Sequence, residues 1–393
     1  MIEFNLPSLG ADMDEGTLLE WRIKPGDTVK RGQVVAVVDT SKAAVDVEIW
    51  HEGVVHALTL EPGQKVPVGT TMAILREAGE SAGQVEAMRK QRSAAKLPPL
   101  AAHVEPGTAA VSAPHREAPA AARRPVSPAA RRHAQELHVE LEGISGSGPH
   151  GSVTVADVDK AAAAHHTAPL DRKAEMRRAI AAAMGRSKRE IPHYYLSQDI
   201  PMQRAVEWLL RENEKHAVTE RLLLGVLQLK AVALALARTP ELNGFWRGDR
   251  FEPGAGVHVG VAISLRQGGL VAPAIHDVDR KSLVELMGSL ADLVQRARAG
   301  SMRSSEMSDP TITVTNLGEQ GAGAVFGVIY PPQVALVGFG RVADRPWIDD
   351  TGAVRALPVV TASLSGDHRV SDGIRGARFL TELHDRLQRP EEL

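Results

Sequence analysis

The chain has 393 residues, no cysteine, 46 Lys and Arg against 48 Asp and Glu, and a formal net charge of -2. At roughly 100 to 200 residues per domain this length holds two or three domains, and the lack of cysteine excludes disulfide scaffolds, Cys-ligated zinc, iron–sulfur centres and a thiol nucleophile. The even charge balance speaks against general binding to nucleic acid or to an anionic membrane, both of which need a concentrated basic surface.

The first residues, Met1 to Asn5, show neither a basic segment followed by an apolar run nor an Arg-rich amphipathic stretch. Nothing there directs export or organelle import, so a cytoplasmic location is expected. From Ile2 to about Glu77, short apolar alternations such as Val34 to Val38 and Val45 to Ile49 are punctuated by Gly and Pro, the pattern of a small all-β domain. It contains an internal repeat: Lys24-Pro25-Gly26-Asp27 recurs as Glu61-Pro62-Gly63-Gln64 and Gly32 as Gly69, at an offset of about 37 residues. The centre of that repeat puts the hairpin Thr40-Ser41-Lys42-Ala43 at the end opposite the termini, with Lys42 exposed.

Residues 79–125 turn to Ala, Pro, Ser and Gly with little aliphatic periodicity and read as a flexible linker. As a coil, such a segment has an r.m.s. span of roughly 35 to 40 Å. Residues 126–160 form a compact island: Ser127-Pro128 is an N-cap followed by a first-turn proline, a helix runs to about Leu137, and a Gly-rich loop leads to a second short helix with Asp157 and Val158. Its segment Gly146-Ser147-Gly148-Pro149-His150-Gly151 fits the dinucleotide fingerprint in letters only, since no strand leads into it and a proline interrupts it; it reads as a turn. Residues 161–168 make a second, Ala-rich link, in which His165-His166 lack clustered carboxylates, so no metal site is expected.

Residues 169–393 are long enough for one large α/β core. Helical spacing at Met176, Ile180 and Met184 should end before Ile191-Pro192. Strands are expected at Tyr194 to Ile200, Val257 to Ser264, Thr311 to Thr315, Gln333 to Gly338 and Val359 to Ser363. The apolar run Leu222 to Ala237, broken by Gln228 and Lys230, is too short and too polar to span a bilayer and reads as a buried helix. Near the C-terminus, His368 follows a predicted strand, with Asp372 four residues on and Gly373 permitting a sharp turn. Such a histidine can serve as general base toward a thiol near neutral pH, because the unperturbed values are about 6.5 and about 8.5. Thr315, in Thr313-Val314-Thr315-Asn316-Leu317-Gly318, closes a strand, where a hydroxyl can cap, bridge or serve chemistry.

Together these segments resemble the dihydrolipoyl acyltransferases, the core components of 2-oxo acid dehydrogenase complexes. The resemblance rests on the symmetric hairpin around Lys42, the His368 to Gly373 motif, Thr313 to Gly318, Pro240 to Asn243, Gly269 to Ile275 and Pro331-Pro332-Gln333, and covers everything but the linkers. It implies a multidomain chain: an all-β lipoyl domain (1–78), a small helical peripheral-subunit-binding domain (126–160) and an α/β catalytic domain with the chloramphenicol-acetyltransferase-like fold (169–393). A biotin carrier shares the first fold but usually flanks its lysine with methionines, and here the neighbours are Ser41 and Ala43.

The resemblance further implies lipoic acid attached to Lys42, with coenzyme A as acceptor substrate. His368 is then the general base and Thr315, from an adjacent subunit, the oxyanion stabiliser. Asp372 supports the active-site loop, with Arg177 as its partner, and Arg131 meets acidic partner surfaces. The implied partners are the thiamine-dependent decarboxylase and dihydrolipoyl dehydrogenase, around a homotrimer or a larger core built from trimers. Acetyl is favoured because Ile191 to Leu196 resembles the pyruvate-complex segment more than that of succinyl-transferring enzymes, with branched-chain and acetoin-derived acyl groups as the alternatives. A non-catalytic docking scaffold is the alternative in another class, and the joint presence of His368, Thr315 and Asp372 speaks against it. Three positions depart from the pattern: Ser41 for the usual Asp, Ser152 for a second arginine, and Asp309-Pro310 for a Gly pair. The end at Leu393, short of an apolar tail, is consistent with assembly stopping at the trimer.

Overall fold

The computed structural model describes residues 1–7, 13, 15–40, 44–76, 126–136, 144–160, 172–265, 269–318, 321–349 and 351–393. Lys42 with Ser41 and Ala43, both linkers and the His165-His166 pair lie outside them. The chain divides into two units, one made by the N-terminal β domain with the C-terminal α/β domain, the other containing the short helical module.

Eight strands build the β domain: β1 (Ile2–Asn5), β2 (Glu15–Trp21), β3 (Thr28–Val29), β4 (Gln33–Asp39), β5 (Ala44–Ile49), β6 (Gly53–Leu58), β7 (Lys65–Pro67) and β8 (Thr71–Arg76). They form two sheets, in the orders β1-β8-β6-β3 and β5-β4-β2-β7. The sequence repeat becomes a pair of equivalent turns. Gly26 and Gly63 have φ of 96° and 91°, a left-handed conformation that glycine adopts without a Cβ penalty. Their N–H groups donate to the carbonyls of Val55 and Leu18, and the side chains of Asp27 and Gln64 accept from the N–H groups of Lys24 and Glu61 at 3.0 and 2.9 Å. Alternation sends Leu18, Val35, Val47, Val55 and Leu75 inward, each at most 2% exposed. At the other end β4 pairs Asp39 with Ala44, which leaves Thr40 to Ala43 to join the two strands.

In the helical module, α1 (Pro128–Glu136) starts where the Ser127 hydroxyl accepts from the Ala130 N–H at 3.1 Å, the expected N-cap. Ala130, Ala134, Ile144, Val153 and Val158 form its small core. The Gly-rich segment wraps a carboxylate: Asp157 Oδ2 accepts from the N–H groups of Ser147 and Thr154 and from the Thr154 hydroxyl, each at 2.9 Å. Those donors hold Asp157 far below the usual carboxylate range.

The C-terminal domain begins with α2 (Arg172–Glu190), which ends ahead of Pro192. The elements that follow are β9 (His193–Pro201), α3 (Gln203–Asn213), α4 (Leu224–Ala235), β10 (Gly244–Arg247), β11 (Arg250–Pro253), β12 (Val259–Val261), β13 (Ile263–Ser264), β14 (Leu270–Val271), β15 (Ala274–Ile275), α5 (Leu283–Ala299), β16 (Met302–Arg303), α6 (Ser304–Ser308), β17 (Ile312–Asn316), β18 (Ala335–Phe339), β19 (Ala343–Ile348), β20 (Val354–Asp367) and α7 (Gly373–Leu387). Seven strands form the main sheet in the order β15-β12-β17-β18-β20-β19, with β9 also on β20. β12, β17 and β18 run parallel, and β20 is antiparallel to β18 and β9. The expected strand Val257 to Ser264 is split at Ala262, whose N–H donates to the Val314 carbonyl while the chain turns to meet β14.

α4 is buried on nearly every side, so truncating Leu227, at 0% exposure, should cost about 2–5 kcal/mol. Its two polar residues are both used. The buried Lys230 ammonium donates to the carbonyls of Val278, Asp279 and Lys281 at 3.3, 2.8 and 2.6 Å, fixing the approach to α5. α5 itself opens with a Ser282/Glu285 capping box and closes at Gly300, φ 75°. Among the described residues no helix is long and apolar enough to cross a membrane.

Candidate active site

Thr311, Thr313 and Thr315 are spaced by two along β17 and share one face. Thr311 Oγ1 donates to Asn243 Oδ1 at 2.6 Å and accepts from the His258 N–H at 3.0 Å, and Thr313 Oγ1 donates to Gln333 Oε1 at 2.7 Å. Both threonines are buried. Thr315 is half-buried, and its hydroxyl has no hydrogen-bond partner among the described residues, so it is free to donate. The two motif residues Asn243 and Gln333 are therefore the supports of this strand.

β20 extends to Asp367, and His368 stands exposed just beyond it. Its N–H donates to the Pro192 carbonyl at 3.0 Å, and its ring meets Tyr194 edge-on at 5.4 Å. Tyr194 is pinned by its hydroxyl, 2.8 Å from Ser371 Oγ, and burial raises its pKa, so it remains neutral. Asp367, fully buried, receives Arg369 as a fork, Nε at 3.0 and 3.1 Å and Nη2 at 2.6 Å, and the guanidinium lies 4.7 Å over Trp246. The residues on either side of His368 are thus clamped to each other while the imidazole itself is left free. His193 secures the neighbouring chain: its Nδ1–H donates to the Ile191 carbonyl at 2.9 Å, its Nε2 accepts from the Ile329 N–H at 3.2 Å, and burial lowers its pKa.

Asp372 is the N-cap of α7, accepting from the Arg375 N–H at 2.9 Å, and that bond holds its carboxyl below the ordinary value. The expected pairing with Arg177 is not formed: Arg177 is exposed on α2, and among the described residues no hydrogen bond or ion pair joins the two. Nor does the turn need Gly373 sterically, since its φ is not left-handed and an added Cβ would meet nothing within 4 Å. An open groove of about 640 Å³ lined by Arg238, Gly373, Ile374 and Arg378 runs beside it.

Strand register fixes where Thr315 and His368 lie within one chain. Thr315 is level with Gly338 and Ser363, two strands away, and His368 is five residues beyond Ser363. That is about 17 Å along the strands and about 10 Å across, so ~19 Å in all. The two groups cannot serve one reacting centre from the same chain. Arg131 sits exposed on α1 in the other unit.

Residues 166–393 match the family model described as the catalytic domain of 2-oxoacid dehydrogenases acyltransferase. The chain belongs to the 2-oxoacid dehydrogenase acyltransferase family. Residues 2–75 match the model of biotin-requiring enzymes, which covers lipoyl domains, and residues 124–159 the E3-binding domain. The dihydrolipoyllysine-residue acetyltransferase component of the pyruvate dehydrogenase complex of Zymomonas mobilis is 30% identical over 99% of this chain and 98% of its own length. Two solved structures are each 28% identical with a TM-score of 0.52, covering 57% of this chain and 93% of theirs. One is the dihydrolipoamide acetyltransferase of Azotobacter vinelandii, studied for the catalytic roles of a serine, a histidine and an asparagine. The other is the cubic core of a pyruvate dehydrogenase multienzyme complex. This family member is an acyltransferase with a lipoyl domain, an E3-binding domain and an acyltransferase core.

Sequence reasoning proposed His368, Thr315 and Asp372 but gave no sign of the groups packed and bonded around them. The Asp367–Arg369 fork brackets the histidine at a spacing of two, visible in the letters yet indistinguishable there from an exposed charge pair. The Tyr194–Ser371 bond joins segments 177 residues apart and leaves no local signal. Asp309 takes a hydrogen bond from His276 Nε2 at 3.0 Å and one from the Ser308 hydroxyl at 2.5 Å, a polar pair just ahead of β17. Among the described residues no cluster of three or more His, Asp or Glu could hold a metal ion.

Proposed function

We propose that this acyltransferase moves an acetyl group from a lipoyl arm on Lys42 to coenzyme A within a pyruvate dehydrogenase complex. The support is the pairing of β4 with β5 up to Asp39 and Ala44, between which Lys42 lies in the sequence, together with the match of residues 2–75 to the lipoyl-type domain. Lipoic acid in that linkage supplies a thiol that carries the acyl group as a thioester. His368 accepts the proton of the CoA thiol as its sulfur attacks the acyl carbonyl, and later returns a proton to the departing thiol. Thr315 donates its free hydroxyl to the carbonyl oxygen as negative charge grows there. The clamp between Asp367 and Arg369 holds the histidine's backbone, and Asp372 fixes the start of α7 behind it.

The separation of about 19 Å between Thr315 and His368 carries the reading, because two groups that far apart in one chain would meet only across two copies, as in a cyclic trimer. Such a trimer would also be the unit of a larger core. Exposed Arg131 on α1 suits an acidic patch on dihydrolipoyl dehydrogenase or on the thiamine-dependent decarboxylase, where a rim charge chiefly sets association rate and salt dependence. The preference for acetyl is supported by the pyruvate-complex relatives. The test is acyl exchange between acetyl-, isobutyryl- and succinyl-CoA and free dihydrolipoamide, with wild type beside His368→Ala. Selectivity for acetyl and a loss of about 10²–10⁴ in the variant is the expected result. A folded wild type inactive with every donor overturns it.

A further inference from the structure

β5 is the outer strand of its sheet and would expose unpaired N–H and C=O groups, which usually calls for protection. Here that edge is taken by the catalytic domain. β16 pairs with it in parallel, Met302 opposite Val45 and Arg303 opposite Asp46. Three residues along, the Glu48 N–H donates to Ser304 Oγ at 3.1 Å, and Glu48 Oε2 accepts from the Ser305 hydroxyl at 2.6 Å and from the Ser305 N–H at 3.3 Å. Glu48, Ser304 and Ser305 are 7%, 5% and 9% exposed, so the carboxylate is enclosed and all its recognition comes from neutral donors. Met307 packs against the cores of both domains.

The shelf is built independently of what lies on it. Glu306 receives Arg296 as a two-pronged pair at 2.6 Å for each prong and accepts from the Arg303 N–H at 2.9 Å, which fixes β16 and α6 from within the catalytic domain. The paired residues Val45 and Asp46 follow directly on the connection that holds Lys42. We propose that β16 and α6 form a docking site for the lipoyl domain, which reads the β5 edge by strand addition and Glu48 by Ser304 and Ser305, and so presents the arm to the catalytic core. Two backbone pairs and one hydrogen-bonded carboxylate make a small contact, suited to a carrier that must leave for other partners.

This inference rests on the lipoyl domain acting as the acyl carrier, and its test separates the two. In the full-length protein, amide hydrogen exchange is followed in residues 44–50 and 300–308 for wild type, Glu48→Ala and Ser305→Ala. Each substitution lies in one domain and should speed exchange in both segments about tenfold, while exchange in β2 and β4 stays as in wild type and reports that the fold is intact. Acetyl transfer from acetyl-CoA to the chemically reduced tethered arm should fall by a similar factor in both variants, and transfer to free dihydrolipoamide should not change. Loosening confined to the substituted segment, or tethered transfer that is unchanged or faster, overturns the docking site. Absence of transfer to free dihydrolipoamide in wild type would instead overturn the acetyltransferase reading, with the exchange data still reporting on the dock.

Discussion

Two inactive variants should restore each other. His368→Ala removes the base and Thr315→Ala the oxyanion donor, with single losses of about 10²–10⁴ and about 10²–10³ in rate. Because the register separates the two groups by ~19 Å, each site in the proposed trimer would draw its histidine from one chain and its threonine from the next. In a cyclic assembly of the two variants mixed at random in equal amounts, a site is intact when its histidine comes from a Thr315→Ala chain and its threonine from a His368→Ala chain. That holds for about one site in four. Purification through two different affinity tags removes the unmixed rings, and every mixed trimer holds one intact site of three, so such co-expressed chains should recover roughly a third of the wild-type rate of acetyl transfer to free dihydrolipoamide, against about 1% or less for either variant alone. Co-assembled chains no more active than the singles would refute the inter-chain site.

Other consequences follow from the polar supports. The hydrogen bond to Asp309 raises the pKa of His276 above its ordinary 6.5, and the bonds from His276 and Ser308 outweigh burial to lower that of Asp309. The His276 contribution is whole below 6.5 and is lost as pH rises through the elevated folded value, so the Tm gap between wild type and Asp309→Asn should narrow on going from pH 6.5 into the alkaline range. A gap that widens contradicts the pairing. Lys230→Met orphans three carbonyls ahead of α5 and should lower stability by about 2–3 kcal/mol in urea melts, with an unchanged m-value. In intact-mass spectra a lipoyl adduct should be present in wild type and missing in Lys42→Arg; retention of the adduct would move the attachment point elsewhere.

The domain plan was legible where structure depends on local chemistry. Gly26 and Gly63 announce their turns because few other residues accept φ near 90°, and their spacing carries the two-fold repeat into the fold. Ser127 and the stop before Pro192 were readable for the same reason. β20 was foreseen only as Val359 to Ser363, yet it runs from Val354 to Asp367: its first residues lie exposed on β19 and lack the apolar alternation that marks a buried strand. Gln228 and Lys230 read as interruptions of an apolar helix, although both are buried and bonded. β16 spans two residues, too few for any periodicity, so the meeting of the two domains left no trace in the pattern. Arg177 was assigned to Asp372 by analogy, and within the chain the bond Asp372 makes is instead the N-cap of α7, a role that the sequence around Gly373 did not single out.

Gln228 has a further consequence. Its side-chain oxygen accepts from Asn316, the residue after Thr315, while Asn316 Oδ1 accepts from the Gly318 N–H at 2.8 Å. The end of β17, and with it Thr315, is thereby tied to the buried helix α4 as well as to the sheet. A substitution at Gln228, buried in α4 and remote in sequence, would thus be felt one residue from Thr315 through Asn316.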